Sequence, residues 1–125
     1  MEEKPLQPRD ETEQALLENF RKGAILKHLG HLLENEEIEL AGFDQYKEAL
    51  RKLEAKSPAG RDVLLPLLSD PDSGVRSVAC AHLIKQHTDL VMPILDEIIS
   101  EWSTPAAGSA RNTKAAFQFH LHDCE

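Results

Sequence analysis

The chain has 125 residues, of which 41% are hydrophobic, 29% charged and only 5% aromatic, a composition that suits one domain with a core of its own. Twenty-two acidic against 14 basic residues leave a formal net charge of -8, with 9 cations against 13 acids up to Gly60 and 5 against 9 beyond it. Both halves are therefore acidic and no basic arm stands out, so nucleic acid and anionic membrane are excluded as expected partners, because a phosphate-binding surface needs clustered cations; a basic protein stays compatible.

Leu, Ala and Glu favour helix over strand, and the expected fold class is all-α, about six helices in three antiparallel hairpins. Residues 1–9, with Pro5 and Pro8, read as a leader, and residues 10–125 as a single helical domain whose first part, 10–56, is a helix pair. Met1 to Gln14 is acidic and lacks the apolar core of a signal peptide, and no apolar run reaches membrane-spanning length. Two cysteines, Cys80 and Cys124, make no disulfide framework, which with the missing signal points to the cytoplasm.

The first helix is expected to start near Asp10 as its cap, with Glu11 and Glu13 in the first turn. Leu16, Leu17, Phe20 and Ala24 share one face. Beyond Gly23 the apolar positions Ile25, Leu29 and Leu32 lie on a rotated stripe, which predicts either a bend or burial on two sides. His28 and His31 are three apart, a spacing two metal ligands can use, but nothing nearby completes the set, so no metal site is expected. The same holds for His120, His122 and Cys124.

Asn35 to Glu39 reads as an acidic separator. Glu34, Glu36, Glu37 and Glu39 in and beside it could present negative charge to a basic partner, although such a run is more often a solvated helix start. A second helix follows, with Phe43, Tyr46, Leu50 and Leu53 at spacings of three and four, until Ser57, Pro58 and Gly60 end it.

Two nine-residue segments then match at an offset of 27: Asp62-Val-Leu-Leu-Pro66-Leu-Leu-Ser-Asp70 and Asp89-Leu-Val-Met-Pro93-Ile-Leu-Asp-Glu97. Each keeps an acid at both ends and a central proline, the mark of a repeated helical unit, and the two units span 58–87 and 88–123. In each unit a turn and a second helix follow, capped at Asp72 in the first. The Val75-Arg76 pair corresponds to Ala110-Arg111. Pro66 and Pro93 should sit near a helix start or bend the helix. Trp102 falls in line with Val91, Ile94, Leu95 and Ile98 and is read as core.

The stretch from Leu64 to Leu83, an apolar helix with proline, an Asp-rich turn and then Val-Arg and Ala on the next helix, resembles the HEAT repeat. Its continuation through Ala79 to Trp102 and Ala107 to Arg111 resembles a family of small bacterial HEAT-like domains of unknown function. The resemblance implies a short α-α superhelix and no activity. It further implies that Asp70 or Asp72 with Arg76, and Arg111 in the last unit, link successive repeats, although Thr104-Pro105 replaces the Asp-Pro-Asp of the turn there.

His82 falls in the stripe Val75, Val78, Ala79 and Leu83, which directs it to the core or a groove; the expected state is a hydrogen-bonded buried histidine rather than a catalytic base, since no nucleophile accompanies it. There is no phosphate loop, no Cys-x-x-Cys pair and no nucleophile elbow. The expectation is thus a non-enzymatic protein-binding module without cofactor, its weak candidate contacts Glu34, Glu36, Glu37, Glu39 and His82. One version is the neutralisation of a basic, toxin-like protein. A self-assembling subunit is the alternative, and a HEAT-like DNA-repair enzyme a third that the charge disfavours.

Overall fold

Thr12 opens the first helix: its Oγ1 accepts the amide of Ala15 at 3.0 Å, and α1 runs from Glu13 to Leu32. The computed structural model describes residues 12–101 and 104–123, with side chains as far as Phe119. The expected start at Asp10 falls outside those residues, as does Trp102; the cap observed is Thr12. Leu16, Phe20 and Ala24 are buried as their spacing requires, and Leu17 packs beside them.

α1 passes through Gly23 without a break. Gly23 serves close approach rather than bending: a Cβ there would lie 2.6 Å from the amide nitrogen of Tyr46 and 2.8 Å from the carbonyl of Gly42. Cβ atoms on Gly30 and Gly42 would meet the backbone of Glu39 and Lys27. The three glycines bring α1 and α2 (Glu36–Lys56) together backbone to backbone. The rotated stripe gains no second core, and Leu29 and Leu32 stay exposed.

Between them the chain turns on Glu34, which has φ 55°. The amide of Asn35 bonds Gly30 O at 2.8 Å and that of Glu34 bonds His31 O at 3.1 Å, the paired closure of a Schellman motif. Asn35 then caps α2 through Ile38 N, so Glu36, Glu37 and Glu39 are the first turn of a helix, not a separator. Tyr46, Leu50 and Leu53 are buried, whereas Phe43 stays 40% exposed, edge-on to Tyr46.

Pro58 holds Ser57 extended and ends α2. The first proline segment follows as a 3-10 helix, η1 (Gly60–Ser69), and the second as an α-helix, α4 (Thr88–Ile99). This departs from the like structures that the 27-residue offset predicts. Tighter winding rises about 2 Å per residue rather than about 1.5 Å, so the ten residues of η1 reach roughly as far as a longer α-helix along the neighbour they cover. Prolines sit inside both helices, Pro66 and Pro93 alike on exposed sides.

Asp72 caps α3 (Ser73–Leu83) through Val75 N at 3.1 Å, as expected. α5 spans Pro105–Asp123. The fold is all-α, with no strand among the described residues, and consecutive helices pair as α1/α2, η1/α3 and α4/α5. η1 and α4 both lie against α3 rather than chiefly against each other. α3 also touches α1 and α5, which makes it the central helix, and Val75, Ser77, Ala79, Cys80 and Leu83 on it are fully buried. Burial pushes the Cys80 thiol up to about 12. None of the described helices is long and apolar enough to cross a membrane.

Candidate functional site

The α1–α2 turn builds an exposed tip. Leu32 is 64% exposed, Leu33 57% and Leu40 53%. Glu34, Glu36 and Glu37, also exposed, stand among them in the chain. Glu39 turns aside, half-buried, and lies 3.7 Å from Nδ1 of His31. His82 is not part of this group, since it meets Tyr46, ten residues or about 15 Å along α2 from Glu36. The five candidate contacts are therefore divided between two places.

His82 lies half-buried, its ring 6.2 Å from that of Phe20 and 6.0 Å from that of Tyr46, both edge-on. Its ring nitrogens have no hydrogen-bond partner among the described residues, unlike the bonded histidine the stripe suggests; its neighbours here are aromatic rings. Loss of water, helped by the charges of Lys47 and Arg61, lowers its pKa to about 4. The imidazole is thus neutral at pH 7, with no hydroxyl or thiol bonded to it.

The anticipated Asp–Arg link takes another form. Arg76 donates to the backbone carbonyl of Asp70 at 2.8 Å, not to its carboxylate, and its other nitrogen lies 3.6 Å from Glu101 past the end of α4. The carboxylate of Asp70 is already occupied: Oδ2 accepts Nε of Arg21 from α1 at 2.6 Å, and Oδ1 the amide of Asp72 at 2.9 Å. Asp70 raises the pKa of Arg21 in turn, mainly through that hydrogen bond. Arg76 does join the two C-terminal hairpins, while Asp70 joins them to α1, a contact across 49 positions with no local signal in the sequence. Arg111 makes no such link among the described residues and is exposed.

Arg111 instead lines a cleft of ≈ 560 Å³ between α1 and α5. Lys27, His28, His31 and Glu39 form one side. Thr104, Ser109, Arg111 and Thr113 form the other. Nδ1 of His28 donates to Ala24 O at 3.0 Å, Nε2 is buried without a partner, and burial lowers the pKa of the ring. Lys27 is half-buried with its pKa lowered by lost hydration, an effect Glu39 partly opposes. Groups of three or more metal-binding side chains are absent among the described residues.

A comparison with family models, curated proteins and solved structures finds no match to this chain. The functional reading therefore rests on the chain's own geometry.

Proposed function

We propose that this protein is a non-enzymatic, helical protein-interaction module that docks through the α1–α2 tip onto a partner with a basic rim. The observation that carries the reading is the tip itself, where Leu32, Leu33 and Leu40 lie exposed beside Glu34, Glu36 and Glu37. An apolar centre rimmed by one sign of charge is how interfaces combine burial with partner choice. Glu34 adds support: it occupies a left-handed position that favours glycine, and a side chain there costs roughly 1 kcal/mol that the fold has no need to bear. A basic toxin-like protein held inactive is the partner chemistry that suits the charge. His82, neutral among aromatic rings, supports a structural rather than a catalytic role for the one interior histidine of α3.

Glu34→Gly separates fold from function. It should raise stability by about 1 kcal/mol in chemical denaturation while weakening capture of the partner that co-purifies from native lysate. Leu33→Ser with Leu40→Ser should abolish capture with helicity unchanged. Capture that withstands both changes, or a native lysate that yields no stable partner, defeats the proposal.

Self-assembly is favoured by a different feature, an apolar groove lined by Ala81, Ile84, Phe117 and Phe119, the last 69% exposed. Light scattering over a range of concentrations distinguishes it, because a strict monomer excludes it.

A further inference from the structure

Within a strongly acidic chain, four of the five described arginines meet a carboxylate. Arg21 meets Asp70, Arg51 meets Glu48, Arg61 meets Glu54 and Arg76 meets Glu101. Arg111 alone of the described arginines makes no ion pair among the described residues, although acids outnumber bases by 22 to 14. Lys27 across the cleft likewise has no carboxylate within ion-pair distance among the described residues, and it is half-buried. Two cations thus share one concave space without an ion pair, and the cleft's single carboxylate, Glu39, lies 3.7 Å from His31 and acts on Lys27 only from beyond ion-pair distance.

We propose that the α1–α5 cleft binds a small-molecule phosphomonoester, with Arg111 and Lys27 as its charge partners. A guanidinium presents a planar fork that matches two phosphoryl oxygens, and an ammonium acts as a point charge for the third. The hydroxyls of Ser109 and Thr113 line the same wall and are donors of the kind that orient such a group. Arg111 and Lys27 offset the double negative charge of a phosphomonoester, against which Glu39 in the same cleft counts one like charge. The size of ≈ 560 Å³ falls within the range of small-ligand pockets. A longer polyanion would have to run from the cleft over an acidic surface, which selects against nucleic acid.

The amides at the start of α5 take little part. Pro105 has none, Ala107 N is bonded to Thr104 Oγ1 at 3.0 Å, and Gly108 N to Thr104 O at 3.3 Å. The site stands on side chains, and it does not depend on the hairpin tip.

The test is an NMR titration of the full chain with inorganic phosphate, at ionic strength held constant with chloride. Saturable shifts are expected at the amides of Ser109 and Thr113 and at the His31 ring. Arg111→Gln should weaken binding about tenfold, and Glu39→Gln should tighten it about threefold by removing a like charge. Arg51→Gln, a cation elsewhere, should leave it unchanged. Arg111 is exposed, so its replacement spares the core, and matching circular dichroism verifies that. Shifts no larger than chloride produces, an unchanged affinity in Arg111→Gln, or weaker binding in Glu39→Gln overturn the proposal. Succinate binding as tightly as phosphate removes the phosphoryl assignment. A phosphoserine peptide binding tenfold tighter than free phosphoserine removes the small-molecule one.

Discussion

His82 shows how a single side chain makes the fold sensitive to acid. Its pKa falls from 6.5 to about 4 in the folded state, so above pH 6.5 both folded and unfolded chains carry it neutral and it adds no pH dependence. Between those values only the unfolded chain takes up the proton, and stability declines by about 3 kcal/mol as pH falls, levelling off once the folded form also protonates. His28 is shifted in the same direction, so the contribution of His82 is read as the difference between wild type and His82→Leu. The variant should match or exceed wild type at pH 7 and lead it increasingly toward pH 4, measured by urea denaturation; parallel curves would refute this. Ser77, fully buried with an unbonded hydroxyl, makes a second case: Ser77→Ala should stabilise by about 1 kcal/mol. The inward direction of His82 was legible from its place in an apolar stripe. The aromatic rings that meet it, and the Arg21 that claims Asp70, come from distant segments whose arrival no local pattern records.

Helix by helix, periodicity and caps located the secondary structure, and glycine was the residue most easily misread. Gly23 sits where the apolar stripe of α1 rotates, and from the sequence that is either a bend or burial on two sides. In the fold it is part of a seam with Gly30 and Gly42, because a missing Cβ can serve a kink or a close neighbour equally well and only the neighbour decides. Gly42→Ala would drive a methyl into the backbone at Lys27 and should cost about 3 kcal/mol or prevent folding, whereas Gly108→Ala, whose new Cβ would lie 3.8 Å from Arg111 Nη2, should gain about 0.5–1 kcal/mol of helix stability. Thermal melts of the pair test both signs together. The two proline segments were alike in residue pattern but not in winding. Pattern fixes which side chains are apolar but not the hydrogen-bond spacing of the backbone that carries them.

For the chain as a unit, composition and spacing sufficed for an all-α architecture of paired helices. They were blind to the α1–α5 cleft, since a net charge of -8 is an average and Lys27 and Arg111 become neighbours only after folding. The acidic tip was partly legible: the run of glutamates was visible, but the leucines exposed among them were read as inward-facing or unassigned. One feature of the central helix offers a clock for the entire molecule. Cys80 lies at the crossing of α3 with its neighbours, fully buried, and its thiol is held in the unreactive protonated form. In a Cys124→Ser background, a thiol reagent can reach this sulfur only when the helices around it separate. Its modification rate, followed by mass spectrometry, should therefore track the population of fully opened chains and rise sharply with urea, with no fast phase from local fraying.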